Sequence, residues 1–255
     1  MSKVIAITNH KGGVGKTTTT ASLGVALARK GNKVLLIDLD AQMNLTSMFL
    51  NDDELLDVED TMYEALTYGE PIPHKWIRKN LALAVSSLDL AAAEAGLNGL
   101  KLSEAKLRAS LEPVKGKYDY ILIDCPPSLG LLTVNALFAA DEVLIPLTAE
   151  ALQLRGVEKL EQAINAVAKA NRSLKICGIL ITRYNNRKLN KQVVEAIQQR
   201  YGRKLFKTKI RENIAVAEAP NFCTDIFDYD SNSNGAKDYA ALAQELISRD
   251  EKAEL

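Results

Sequence analysis

The residues Lys11-Gly12-Gly13-Val14-Gly15-Lys16-Thr17-Thr18 lie between an apolar run, Val4-Ile5-Ala6-Ile7, and a segment of helical spacing. Such a turn suits polyphosphate. A buried strand that ends in glycines and passes into a helix aims successive N–H groups, and the positive end of the helix dipole, at one point. The glycines let the ligand approach the backbone, Lys16 would neutralise the β- and γ-phosphates, and the Thr17 hydroxyl would take one position on a hexacoordinate Mg²⁺. Asp124 ends a second apolar run, Tyr120-Ile121-Leu122-Ile123, where a carboxylate can hold the same ion through water. The alternatives for Asp124 are an ordinary hydrogen-bonded strand end and a helix cap. Asp38 and Asp40, two apart after Val34-Leu35-Leu36-Ile37, would share one face of an extended chain and could both face the phosphates, the alternative for Asp38 being a solvated or loop-capping carboxylate. Phosphoryl transfer to water needs positioning and charge stabilisation more than covalent participation, so this small set suffices for it.

The elements that must position these groups alternate along the chain. Leu23, Ala26, Leu27 and Lys30 predict a short amphipathic helix over 17–30 with Gly31 as its C-cap. The unbroken run 34–37 reads as a parallel strand covered on both faces, with Asp38 and Asp40 at the carboxyl edge where open α/β sheets bind ligands. Residues 41–60 are polar and read as a mobile loop. A short helix is expected over 61–66, a strand over 81–85, and helices over 88–97 and 103–114. The strand 120–124 is halted by Pro126-Pro127. Strands at 143–146 and 176–182 and helices at 153–170, 189–201 and 236–248 complete the series. This order predicts an α/β fold: a doubly wound, mostly parallel sheet with right-handed crossovers and helices on both faces, as a single domain over 1–255.

With 255 residues and 47% hydrophobic content the chain can bury a large core. Lys plus Arg and Asp plus Glu are 32 each, so any nucleic-acid contact must come from a local patch. One such patch exists: from Arg183 to Arg211 the basic residues face Glu195 as the sole acid. It would attract DNA phosphates without reading sequence, the alternative being a solvated helix face. Cys125, Cys177 and Cys223 are widely spaced and lack a C-x-x-C pair, against both a disulfide framework and a zinc site. No apolar run approaches the length of a membrane span, and no signal peptide is visible. The expected location is the cytoplasm.

The loop resembles the deviant Walker A motif of the ParA/MinD family of ATPases. In that family an additional lysine, here Lys11, reaches across a dimer interface to the partner's nucleotide. His10 departs from the common phosphate-loop pattern, which begins with glycine. The resemblance covers nearly the whole chain and implies a P-loop NTPase with ATP and Mg²⁺ as cofactors. Asp40-Ala41-Gln42-Met43-Asn44 is similar to the family's switch I, usually Asp-Pro-Gln-Gly-Asn, with Ala41 and Met43 departing. By that similarity Asp40 orients or activates the attacking water, while Asp38 joins Thr17 and Asp124 at the metal. Pro126-Pro127-Ser128-Leu129-Gly130 resembles switch II. Ile210–Asn213 resembles the loop that packs on adenine, which makes Arg183, Arg211 and Asn213 base-site candidates beside the phosphate loop, 11–18. Glu218-Ala219-Pro220 matches a further family segment.

The resemblance implies a homodimer formed on ATP that binds double-stranded DNA nonspecifically and sits on the nucleoid. A centromere-binding, ParB-like protein would stimulate its slow hydrolysis to segregate plasmid or chromosomal DNA. Arg187, Lys188 and Lys191 are the candidate DNA contacts, because an arginine that often follows in the family stands here as Ala215. No N-terminal DNA-reading domain is expected, since the loop begins at residue 11. The alternative is a MinD-like ATPase that positions a protein or membrane-associated cargo. Its basic amphipathic tail has no counterpart in Arg249–Leu255, so no stable membrane anchor is expected. An electron carrier with a shared iron–sulfur cluster would need paired cysteines; Cys125 reads better as a buried thiol. Lys16→Ala should abolish both hydrolysis and nucleotide-dependent dimerisation, checked by phosphate release and size-exclusion chromatography; unchanged behaviour would refute the phosphate-loop assignment.

Overall fold

The computed structural model describes residues 2–97, 103–149 and 154–253. In chain order the elements are β1 (Lys3–Ile7), α1 (Lys16–Arg29), β2 (Val34–Asp38), α2 (Asn44–Ser47), α3 (Asp52–Leu56), α4 (Met62–Tyr68), β3 (Lys75–Arg78), β4 (Leu81–Ala84), α5 (Leu90–Leu97) and α6 (Lys106–Lys115). They continue with β5 (Tyr120–Asp124), α7 (Leu131–Ala139), β6 (Glu142–Thr148), α8 (Leu154–Ala168), β7 (Lys175–Tyr184), α9 (Lys188–Tyr201), β8 (Leu205–Arg211), α10 (Ile214–Glu218), α11 (Ile226–Tyr229) and α12 (Asn234–Ala253). The strands form one sheet in the order β3-β4-β2-β5-β1-β6-β7-β8. All neighbours are parallel except β3, which pairs antiparallel with β4.

Register does the first work of site assembly. Ile7 of β1 and Asp38 of β2 both pair with Asp124 of β5, so the two aspartates end adjacent strands at the same rung. The central strands are buried on both faces, as their near-continuous apolar runs require. On one face Leu107, Leu132, Leu137, Leu160 and Ile197 meet the sheet; on the other Leu23, Leu27, Tyr239, Leu242 and Leu246 do. Among the described residues no helix is long and apolar enough to cross a membrane.

Several elements differ from their sequence-based expectation. Helix α1 is not amphipathic: Thr19 through Ala28 are buried all round, because α12 packs over the side that a two-layer reading leaves to solvent, with the Tyr239 hydroxyl 3.4 Å from that of Thr19. Residues 41–60 are not a bare loop. They contain α2 and α3, and bury Leu45, Met48, Phe49 and Leu50. Asn51 and Glu54 form a capping box on α3, a sequence signature that polarity masked. Strands β3 and β8 were not expected. Both are edge strands, and β8 carries Lys207, Lys209 and Arg211, so its alternation was absorbed into the basic tract. Gln153, expected to open a helix, lies outside the described residues.

The β8 edge is covered by α12: Glu245 accepts hydrogen bonds from the backbone N–H groups of Lys207 and Thr208 at 2.9 Å each. Phe206 beneath them lies flat against the Arg249 guanidinium, 4.0 Å from the ring centre, and fills the space beside Gly178, where an added Cβ would overlap three ring atoms. Gly178→Ala should therefore cost about 1–3 kcal/mol by overpacking. Urea denaturation would read this as a lower midpoint, and Phe206→Leu in the same chain should restore part of it.

Candidate functional site

The turn after β1 is held from both sides before any ligand enters. Asn9, 1% exposed, donates from Nδ2 to the Pro146 carbonyl at 2.8 Å and accepts the Lys11 N–H at Oδ1 at 3.1 Å. Thr182, at the end of β7, donates from Oγ1 to the Val14 carbonyl at 2.8 Å. Gly13 and Gly15 take φ values of 72° and 83°, which L side chains rarely adopt, and Gly15 caps α1. These contacts turn the loop over the α1 N-terminus, where Thr17 and Thr18 are half-buried. Lys16 is 7% exposed and donates from Nζ to the Lys11 carbonyl at 3.3 Å. Burial lowers its pKa, partly offset first by Asp124 and then by Cys125. Lys11 itself lies exposed at the rim.

The carboxylates divide by environment. Asp124 is fully buried; Oδ1 accepts the Thr20 hydroxyl at 3.4 Å, and Oδ2 is buried with no hydrogen-bond partner. Burial and then the neighbouring Asp38 push its pKa well up, while the nearby Thr17 hydroxyl and the charge of Lys16 pull it down. An orphaned carboxylate oxygen beside a hydroxyl is costly unless something answers it. The pair supplies the hard oxygen donors that Mg²⁺ prefers, so the residues fit that ion.

Asp38 was expected at the metal, yet its oxygens are engaged elsewhere. Oδ1 accepts the Asp40 N–H at 3.0 Å, and Oδ2 accepts both the N–H and the hydroxyl of Thr46 at 2.8 Å. Burial pushes its pKa up to about 6 against these hydrogen bonds. The geometry makes Asp38 the anchor of the loop that follows β2. In that loop Asp40 is half-buried, and its Oδ1 accepts the Gln42 N–H at 3.0 Å. Met43 adopts φ 57° at the position where the similar family loop has glycine, a left-handed conformation that costs a side chain about 1–2 kcal/mol.

These pieces surround a cavity of about 540 Å³ lined by Gly12, Gly13, Gly15, Lys16, Thr17, Thr18 and Asp40, with Pro127 at the switch II side. Its far wall holds Arg183, Arg211 and Asn213 together with Ile210, Val216 and Tyr239. All three base-site candidates thus reach the cavity, although two have side chains already engaged. The Arg211 guanidinium clamps Asp238, with Nη2 to Oδ1 at 2.6 Å and Nε to Oδ2 at 3.0 Å, and Asn213 Oδ1 caps α10 through the Val216 N–H at 3.2 Å. Arg183 lies 3.9 Å from Glu212. The apolar residues of this wall are Ile210 and Val216. Arg187, Lys188 and Lys191 stand exposed at the start of α9 and do not line the cavity. Cys125 is a buried thiol, as expected, and burial pushes its pKa far up. Asn9, Thr182 and Tyr239 escaped the sequence reading because single polar residues at strand and helix ends carry no spacing signal.

An AAA domain family model, AAA_31, matches residues 2–176. The sporulation initiation inhibitor protein Soj of Bacillus subtilis is 43% identical over 251 residues, 96% of this chain and 98% of the relative. The chain is a member of the ParA/Soj family. Among solved structures, a protein assigned to plasmid partition from Borrelia burgdorferi, bound to AMPPNP, superposes with a TM-score of 0.83 at 29% identity over 99% of this chain and 100% of that one. A cobyrinic acid a,c-diamide synthase from Mycobacterium smegmatis with bound ATP analogue and magnesium gives 0.82 at 34% identity, over 97% and 95%. The ParA/Soj relationship makes this chain a P-loop NTPase. Within that fold, Thr182 is the side chain that ties the loop to β7, and Thr182→Val keeps its volume while removing the bond to Val14. The loss should weaken ADP binding about fivefold, roughly 1 kcal/mol, measured by fluorescence titration.

Proposed function

We propose that this chain is a Mg²⁺-dependent partition ATPase, working as one ATPase domain, that hydrolyses ATP slowly to ADP and phosphate as a switch for moving DNA. The observation that carries the reading is a cavity lined by Lys16, Thr17 and Thr18 of the phosphate loop and by Asp40, with the buried Asp124, whose Oδ2 has no hydrogen-bond partner, at the end of β5 behind them. Thr17 directly, and Asp124 through water, would hold Mg²⁺, which when bound supplies charge neutralisation at the β- and γ-phosphate oxygens. Lys16 and the loop N–H groups bind and orient the phosphates. Asp40 orients the attacking water by accepting its hydrogen bond. Lys11 of a second copy, placed across the cavity mouth, stabilises charge as it develops on the transferring group.

Dimerisation on ATP would therefore complete the site, and turnover by the isolated chain is expected to be slow. The amide-synthase name of one solved relative points to ATP chemistry on a carboxylate; the second lysine at the rim favours the dimerising switch. The dimer would present Arg187, Lys188 and Lys191 from both copies to double-stranded DNA on the nucleoid, and a ParB-like partner would speed hydrolysis.

The test is binding to nonspecific duplex DNA with ATP, ADP or no nucleotide across a salt series. Binding should require ATP and fall steeply with salt, and Arg187→Ala or Lys188→Ala should each reduce the log–log salt slope by about 1 per copy of the lost contact. Lys11→Ala should retain ATP binding while losing dimerisation and hydrolysis. Absence of DNA binding in every nucleotide state would overturn the DNA-moving reading and favour a protein cargo.

A further inference from the structure

The segment from Ser86 to Glu94 touches both loops that flank the phosphate end of the cavity, and neither the loop motifs nor the proposed chemistry gives it a role. Ser86 is fully buried just after β4. Its hydroxyl donates to the main-chain carbonyl of Asp40 at 2.8 Å, and its N–H donates to Thr46 Oγ1 at 3.2 Å. That hydroxyl in turn donates to Asp38 Oδ2 at 2.8 Å, and Asp38 Oδ1 accepts the Asp40 N–H. The peptide groups on both sides of Asp40 are thus fixed, one by Asp38 and one by Ser86, while its carboxylate faces the cavity.

Eight residues on, Glu94 does the equivalent for the second loop. Helix α7 starts from Gly130, which has no side chain to cap it. The cap is supplied from another element: Glu94 Oε1 accepts the Leu132 N–H at 3.2 Å, answering one orphan donor of the first turn and placing negative charge at the helix N-terminus. Glu94 packs so closely on Gly130 that an added Cβ there would collide with the carboxylate. Thr133 closes the same turn by donating to the Ser128 carbonyl at 2.6 Å.

The connection between Ser86 and Glu94 is stiff. Leu90 N–H donates to the Ser87 carbonyl at 3.1 Å and Ala93 N–H to that of Asp89 at 3.0 Å. Leu90, Ala93 and Leu97 seat α5 in the core at 0%, 5% and 4% exposure. We propose that residues 86–94 form a rigid tie in which Ser86 and Glu94 are positioning residues, setting Asp40 and the 127–132 loop in one fixed relation. A displacement of one loop is then carried to the other through α5, and hydrolysis depends on both ends. This rests on the reading of Asp40 as the residue that orients water.

The test uses pairs of variants that differ in one hydrogen bond. Ser86→Thr and Ser86→Val have the same volume, and only the first retains the hydroxyl; Glu94→Gln keeps an acceptor that Glu94→Ala loses. Turnover of ATP should be about tenfold lower for Ser86→Val than for Ser86→Thr, with KM for ATP and ADP affinity changed by less than about twofold, the split expected when orientation and not binding is lost. Glu94→Ala should fall below Glu94→Gln in the same way. Hydrogen–deuterium exchange supplies the readout that separates a tie from two local props. Ser86→Val should speed exchange over 130–133 as well as 40–44, and Glu94→Ala should speed it over 40–44. Equal turnover within the pairs, or exchange changes confined to the loop nearest each substitution, would overturn the proposal. Asp40→Ala in parallel separates the two levels: if it hydrolyses ATP normally, the reading of Asp40 falls, and the exchange data alone decide on the tie.

Discussion

Two carboxylates at the same rung of neighbouring strands, on the carboxyl edge of a buried sheet, are the constraint around which the rest is arranged. Moving a carboxylate out of water costs on the order of several kcal/mol unless other groups compensate. Asp38 and Asp124 sit side by side with no exposure at all. The structure resolves this unequally. Asp38 receives three hydrogen bonds from the chain that follows it, so its burial is converted into a defined path for that loop. Asp124, with Thr17 and Lys16 nearby, retains an oxygen without a hydrogen-bond partner. One acid organises the loop that follows it; the other keeps an oxygen unengaged.

Around that pair, the loop that would hold phosphate is fixed by strands that contribute no phosphate contact of their own. Asn9 reaches β6, Thr182 reaches back from β7, and Thr20 donates to the Lys16 carbonyl at 3.0 Å. Each such bond is modest, about 1 kcal/mol net. Together they hold the Val14 and Lys16 carbonyls on the protein side and fix the path of the loop around the cavity. The cradle is therefore pre-organised, and binding energy is not consumed in shaping it.

Much of this was legible in the residues. The glycine-lysine turn, the apolar runs and the aspartates that end them specify strand, loop and helix with a periodicity that tertiary packing does not alter. The edge strands were not legible, since β3 and β8 mix charge with apolar residues and read as loop or patch. Nor was the burial of α1, whose outer side is apolar through alanine, glycine and threonine, residues that do not announce a second packing surface. Within the site the sequence could place Asp38 near the metal but could not show that Thr46, eight residues later, would claim its oxygens. Hydrogen-bond partners are set by loop conformation, and Met43 illustrates the limit: the left-handed turn that glycine would have advertised is made by a residue that conceals it.

Tyr239, on the last helix, lines the cavity and meets Thr19 of the first, while Glu245 of that same helix seals the final strand. The cavity thus draws its walls from helices more than two hundred residues apart in sequence. During translation the phosphate loop is made long before α12 and lacks its outer packing until that helix follows. A chain in which α12 has yet to be made therefore has no finished cavity.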